Sequence, residues 1–237
     1  MRAMILAAGL GTRLRPLTNN RPKALVEIKG RTLLEITLAR LRSFGIREVI
    51  VNVHHFADLI ADYLASNDNF EMRIVISREE MLLDTGGGLK KASWFFLEQG
   101  SDEPFLVHNV DVLSAIDLAR MLQFHRENRA LATLAVQQRH SARQLLFDNQ
   151  IQLRGRKSSG SDAPAGCQAF AFCGIHLISP RIFSLMSEEG AFSIIDTYLR
   201  LASRGERIFG FRADQYYWRD LGTAENVARA AAELPGP

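Results

Sequence analysis

The sequence predicts an α/β fold, a three-layer sandwich built around a mostly parallel mixed sheet. Three observations carry that expectation. Short apolar runs alternate with helix-like segments of ten or more residues through the first half of the chain. Several of those runs are apolar throughout rather than at every second position, as in strands covered on both faces. Glycine or aspartate follows directly where the runs end, at Gly9 and Asp111. A length of 237 residues lies near the upper end of what one hydrophobic core serves, so a single domain is expected.

Taken in order, Ala3 to Ala8 reads as a buried strand running into a loop that holds Gly9, Gly11, Pro16 and Pro22. Helical spacing appears at Leu33, Leu34, Ile36, Leu38, Leu41 and Phe44 and stops at Gly45. Glu48 to Val53 is the next strand, Phe56 to Ser66 the next helix and Met72 to Ser77 the next strand. Thr85 to Leu97 opens on three glycines and turns helical, and Phe105 to Asn109 is a strand delivering Asp111. The second half is less regular. Ala132 to Val136 and Leu145 to Leu153 read as strands, the latter stretch turning at Asp148-Asn149. Arg154 to Gly166 reads as a mobile surface loop and Ala169 to Ile178 as a strand. Helices are expected over Pro180 to Met186, Ser193 to Ala202 and Ala224 to Glu233. In a sheet with right-handed crossovers, the loops after Ala8, before Thr85 and after Asn109 converge along one edge.

Composition excludes several classes. An apolar fraction of 47% and a charged fraction of 23% are ordinary for a globular protein. The net charge of +3 is mild and no long Lys/Arg run exists, which points away from nucleic acid and towards a small anionic ligand. No apolar stretch approaches the roughly 18 residues of a membrane helix. The first apolar run leads into Gly11-Thr12-Arg13 rather than a cleavage region, so a cytoplasmic protein without membrane contact is expected. Cys167 and Cys173 are too few for a disulfide framework and fit no zinc spacing.

The first loop has the residue types of a phosphate site. Glycines at a strand end let backbone N–H groups face an anion, Arg13 offers a planar charged fork and Lys23 a compact charge. It is not a dinucleotide fingerprint, because Leu14 stands where the third glycine belongs, and it lacks the Gly-Lys-hydroxyl ending of a Walker loop. The whole string, Leu6 to Thr18 followed by Arg21-Pro22-Lys23-Ala24-Leu25-Val26, resembles the signature of the sugar nucleotidyltransferase family, with Ala24 a small departure. That resemblance implies a Rossmann-like fold of the nucleotide-diphospho-sugar transferase type. It gives the nucleotide to residues 1–130 and the sugar phosphate to residues 131–237. It puts Ala8, Gly9, Gly11, Thr12, Arg13 and Lys23 on the nucleotide, with Arg13 gripping the triphosphate and Lys23 near the reacting phosphate.

Three successive glycines after Asp84-Thr85 are costly at a helix start, about 1 kcal/mol each relative to alanine. Something must approach that backbone closely. A flat nucleobase over Thr85, Gly86 and Gly87 is the functional candidate, and capping by Asp84 or Thr85 the local one. The string resembles the base-binding loop of family members that make uridine or guanosine diphosphate sugars. Asp111 and Asp220, the latter in Trp218-Arg219-Asp220-Leu221-Gly222-Thr223, match the family's two magnesium-binding carboxylates, although Val110 replaces a common glycine. Magnesium favours one or two carboxylates completed by phosphate oxygens and water.

The sugar side is weakly marked. Gly174, in Phe172-Cys173-Gly174-Ile175, resembles a family glycine beside the sugar; Asn109 and Asp196 are further candidates for sugar hydroxyls. The family's Glu-Lys pair for the sugar phosphate is missing, leaving Arg154, Arg156 or Lys157 in its place. The implied reaction joins a nucleoside triphosphate to a sugar-1-phosphate, with Arg13, Lys23 and Asp111 as the catalytic groups and Mg²⁺ as cofactor. A monomer or small homo-oligomer is expected. The string Leu82 to Gly88 and the short chain most resemble N-acetylmuramate-1-phosphate uridylyltransferases. Guanylyltransferases acting on mannose- or heptose-1-phosphate are the alternative. A catalytically silent nucleotide sensor is the alternative of another class.

Overall fold

Strand β1 (Ala3–Leu6) shows how the layers arise, because its successive side chains enter opposite cores. Ala3 and Ile5 join one cluster and Met4 the other, and all three are fully buried. The same holds in β4 (Glu48–Val53), where Val49, Val51 and Val53 face one way and Ile50 the other. This is why those runs are apolar throughout. The computed structural model describes residues 1–100, 102–157, 160 and 162–233.

After β1 the chain forms a small hairpin, β2 (Glu27–Ile28) and β3 (Arg31–Thr32), and then α1 (Leu33–Ser43), β4, α2 (Ala57–Ser66) and β5 (Arg73–Arg78). Helices α3 (Asp84–Lys91) and α4 (Ser93–Leu97) lead to β6 (Phe105–Asn109), β7 (Val112–Ser114) and α5 (Leu118–Glu127). The rest comprises β8 (Ala132–Gln137), β9 (Gln144–Asp148), β10 (Leu153–Arg156), β11 (Cys167–Ile178), α6 (Ile182–Leu185), α7 (Ile194–Ser203), β12 (Ile208–Arg212), β13 (Trp218–Asp220) and α8 (Ala224–Glu233).

Among the described residues the main sheet has nine strands and runs β10-β9-β11-β6-β1-β4-β5, with β8 pairing both β11 and β12. It is the mixed sheet expected. The region β6-β1-β4-β5 is parallel throughout, whereas β11 runs antiparallel to β6, β8 and β9. Apolar residues of α1, α2, α5 and α8 cover one face; those of α3, α4, α6 and α7 cover the other. None of the helices is long and apolar enough to cross a membrane, counting the described residues.

Two differences from the sequence reading have plain causes. Arg154 to Arg156, expected in a loop, form part of β10, because the Asp148-Asn149 turn returns the chain along β9 with a bulge. Of the rest of that expected loop, residues 158, 159 and 161 lie outside the described residues. Helix α5 was not expected, although its start is well marked: Asp117 Oδ1 accepts hydrogen bonds from the Ala119 and Arg120 amides, both at 3.0 Å. Its apolar stripe is narrow, with Leu118, Met121 and His125 buried.

Candidate active site

A cavity of about 600 Å³ opens where β1, β4, β5 and β6 end, the edge where the motif-bearing loops were expected to meet. Ala8, Gly9, Gly11, Thr12, Arg13 and Lys23 line it from the first loop, and Asn109 and Asp111 from the end of β6. Thr85 lines it from the start of α3.

The first loop holds its shape through local contacts. Gly11 has φ +65°, a backbone that L side chains avoid, and its carbonyl accepts from Thr18 Oγ1 at 2.8 Å and from the Leu14 amide at 2.9 Å. Leu14, in the place of a fingerprint glycine, is fully buried and anchors the loop in the core. Arg13 is thereby left exposed beside the cavity, with no carboxylate partner among the described residues.

A buried polar chain joins the first loop to the second. The Ala7 amide donates to Asn52 Oδ1 at 2.8 Å, Asn52 Nδ2 donates to Glu79 Oε1 at 2.7 Å, and Glu79 Oε2 accepts from the Leu83 amide at 3.0 Å. Asn52 and Glu79 are nearly inaccessible, and both line the cavity. Neither belongs to a sequence motif. The available signal was a polar residue inside the apolar run Val49 to Val53, since buried polar groups persist where they are hydrogen-bonded. Gly88 fits behind this pair: a Cβ there would lie 2.6 Å from Glu79 Oε1 and 2.8 Å from Asn52 Nδ2.

The two aspartates are brought together by a small antiparallel pair, β7 with β13. Asp220 stands opposite Val112, and the Leu221 amide donates to the Asp111 carbonyl at 2.7 Å. Lys23 Nζ forms an ion pair with Asp111 Oδ2. Asp220 Oδ1 accepts from the Gly222 amide at 2.7 Å. A Cβ on Gly222 would lie 2.5 Å from Asp220 Oδ1 and 3.2 Å from Arg13 Nη2, so the guanidinium and this carboxylate flank one glycine. Asp111 Oδ1 and Asp220 Oδ2 have no hydrogen-bond partner among the described residues. Two hard oxygen donors beside cationic groups fit a divalent ion completed by phosphate oxygens. The described residues hold no cluster of three such ligating side chains, so protein groups alone make no closed metal cage.

The glycines of α3 meet a different neighbour from the one expected. A Cβ on Gly86 would lie 2.3 Å from Phe192 Cε2, and one on Gly87 2.3 Å from the Gly190 carbonyl oxygen. Their amides donate to the Phe192 carbonyl at 2.9 and 3.3 Å. The Phe192 ring and the Gly190 backbone are therefore what approaches Gly86 and Gly87 closely, and Thr85 and Asp84 are the α3 residues on the cavity wall. Thr85 Oγ1 accepts from the Ile194 amide at 3.0 Å, tying the starts of α3 and α7 together.

On the other side, Gly174 has φ +74° and sits where the pairing of β11 with β8 shifts register. A Cβ there would lie 2.8 Å from Asn109 Nδ2, so these two sugar-side candidates pack against each other. Asp196 stands apart on α7, exposed and paired with Arg156 Nη2 at 2.9 Å. Arg154 pairs with Asp148 at 2.7 Å.

The model of the nucleotidyl transferase family matches residues 2–145, which include both loops and Asp111. The chain belongs to that family. This nucleotidyl transferase is 35% identical to the N-acetylmuramate alpha-1-phosphate uridylyltransferase of Caulobacter vibrioides, over 98% of this chain and 96% of that protein. It is 30% identical to the enzyme of the same name from Neisseria meningitidis, over 98% and 97% of the two. A mannose-1-phosphate guanylyltransferase of Mycobacterium tuberculosis is 31% identical, matching 98% of this chain but 64% of its own length. In fold, the nucleotidyl transferase superposes on HddC from Yersinia pseudotuberculosis, solved with GMP-PN, with TM-score 0.78 over 99% of both chains at 21% identity.

Proposed function

We propose that this nucleotidyl transferase joins a nucleoside triphosphate to a sugar-1-phosphate and releases pyrophosphate. The observation that carries the reading is the meeting of Arg13, Lys23 and Asp111 around one cavity, with Asp220 beside its lining residue Gly222: two cations and two carboxylates from distant stretches of chain. The nucleotide lies over residues 1–130, on the first loop and beside Thr85. The sugar phosphate lies against residues 131–237 near Gly174 and Asn109, with Asp196 at its margin.

A phosphate monoester has a second pKa near about 6, so the sugar phosphate is largely dianionic at neutral pH and needs no general base. Its oxygen attacks the α-phosphorus in line, and the α–β bridging bond breaks to release pyrophosphate. The difficulty is bringing two polyanions together. Arg13 grips the triphosphate, Lys23 neutralises charge at the reacting phosphate, and Asp111 holds Lys23 in place. Asp111 and Asp220 hold Mg²⁺, which when bound supplies Lewis-acid stabilisation of phosphate charge.

UTP with N-acetylmuramate-1-phosphate is the favoured pair. The relatives of that name match this chain end to end in both directions, at 35% and 30% identity. Such an enzyme supplies cell-wall sugar nucleotide in the cytoplasm. GTP with mannose-1-phosphate is the second reading, favoured by the 31% identity to the mycobacterial guanylyltransferase. Pyrophosphate release, measured for four nucleoside triphosphates against a panel of sugar-1-phosphates with Mg²⁺, tests both. Release with UTP and N-acetylmuramate-1-phosphate supports the first. Release with no combination overturns the activity and leaves a nucleotide sensor.

A further inference from the structure

The segment that delivers Asp220 is anchored by the end of β8. Ala213 and Tyr216 are held by Gln137, whose Nε2 donates to their carbonyls at 2.8 and 3.0 Å. Those bonds fix where the chain runs before β13 begins. The tilt of β13 itself rests on its pairing with β7, three residues long, on the ion pair of Arg219 with Glu233, and on the contacts of the Trp218 ring. The guanidinium carbon of Arg139 lies 3.9 Å from the centre of that ring. Arg139 Nη2 also donates to the Phe172 carbonyl at 2.8 Å, and Trp218 Nε1 donates to the Cys173 carbonyl at 2.8 Å. Both carbonyls belong to β11 where its register with β8 shifts, immediately before Gly174.

Trp218 and Asp220 are alternate residues of one strand, so their side chains leave the same face. Contacts that hold the strand at Trp218 therefore bear on where Asp220 stands, together with the Gly222 amide that donates to Asp220 Oδ1 at 2.7 Å. Arg139 Nε is buried without a partner, a desolvation cost that an apolar side chain covering the same ring would not carry. A planar cation kept there at that cost does more than fill space.

We propose that Arg139 is a positioning residue: stacked on Trp218 and bonded to β11, it holds Asp220 at the angle needed to share a divalent ion with Asp111. The proposal rests on the metal role given above to those two aspartates. It also joins the sugar side to the metal, because the same stretch of β11 carries Gly174 against Asn109.

The test uses the full chain with a non-hydrolysable UTP or GTP analogue and no sugar phosphate. Mn²⁺ binding is followed by electron paramagnetic resonance, and thermal unfolding is recorded alongside. Arg139→Met is expected to weaken Mn²⁺ binding about tenfold, the usual scale for losing a group that orients a metal ligand. Arg139→Lys, which keeps a cation over the ring, is expected to recover part of that loss. Arg181→Ala, which removes an exposed pair with Glu206, is expected to bind Mn²⁺ as the wild type does. If Arg139→Met fails to fold, Trp218→Phe replaces it, removing the bond to the Cys173 carbonyl and weakening the stack. Wild-type Mn²⁺ affinity in a folded Arg139→Met or Trp218→Phe protein overturns the proposal and leaves the parent reading intact. A wild-type protein that binds no Mn²⁺ with either analogue overturns both.

Discussion

The parallel region β6-β1-β4-β5 and the region gathered around β11 build their parts of the cavity differently. In the first, regular strands stop and function begins in the loops beyond them, with Arg13, Lys23, Thr85 and Asp111 all past or at strand ends. In the second, the strand itself is the wall: β11 runs on past β6, and its irregularity presents Gly174 to Asn109. A loop at the end of a parallel strand needs particular residue types to turn and to expose backbone N–H groups. A strand wall can be made from many side chains. On the reading proposed above, the loops fix the triphosphate side in geometry, while the strand wall leaves the sugar side open to many choices of side chain.

The comparison is sharpest where charge is removed. Lys23→Met and Asp111→Asn are each expected to lower turnover by about 10²–10³, the usual cost of one preorganised electrostatic group. Steady-state kinetics with saturating Mg²⁺ checks this, with circular dichroism confirming the fold. Equal losses from Asp196→Ala would break the contrast between a fixed half and an adaptable one.

Next in size is the seam where α3 meets the segment before α7. Gly86→Ala puts a methyl group 2.3 Å from the Phe192 ring, and overpacking of this kind costs about 1–3 kcal/mol. Urea unfolding should show that loss, and adding Phe192→Leu should restore part of it. No recovery would mean that the helix backbone, not the ring, sets the limit.

These residues also show what sequence reveals. The first loop was legible because Leu6 to Val26 combines glycines, fixed charges and prolines in an order that few other structures require. The glycines after Thr85 were legible as a close approach but not as to what approaches, since Phe192 lies more than a hundred residues along the chain. Asn52 and Glu79 were not legible as a pair: each is ordinary alone, and only the parallel pairing of β4 with β5 places them side by side. β7 and β13, three residues each, are too short to show any periodicity. Yet their pairing is what sets Asp220 beside Asp111.

A smaller effect comes from histidines buried around the junction of the two regions. His108 of β6 and His125 of α5 have pKa values pushed down to about 4, in both cases by burial first and then by the nearby Arg40 or Arg126. His176 of β11, bonded through Nδ1 to the Tyr198 hydroxyl at 2.6 Å, is pushed down to about 3 by burial and by His108. Each stays neutral in the folded chain while the unfolded chain takes up a proton below about 6.5. Their contribution is thus fully present above about pH 6.5 and is lost as pH falls towards 4. Urea midpoints should drop from pH 7 to pH 5, and His125→Gln should remove about one proton from that slope. An unchanged slope would place the acid sensitivity elsewhere.

The smallest effect discriminates most between the regions. Asp196 and Arg156 are both exposed, and a surface ion pair of that kind contributes about 0–1 kcal/mol. Asp196→Ala should therefore barely move the unfolding midpoint. Its kinetic signature is confined to one substrate: the KM for the sugar-1-phosphate should change while that for the nucleoside triphosphate stays where it was, a rise marking a lost contact of Asp196 with the sugar. Releasing Arg156 tests the same edge from the other side, because a freed guanidinium beside an anionic substrate tightens binding if the sugar phosphate lies within its reach. Arg156→Ala separates the two contributions. If Asp196→Ala lowers the KM and the double variant reverses that gain, Arg156 is the cation that meets the sugar phosphate and Asp196 the group that restrains it. If neither substitution changes either KM, the sugar phosphate is held nearer to Gly174 and Asn109, on the wall that β11 makes rather than on the edge that β10 makes.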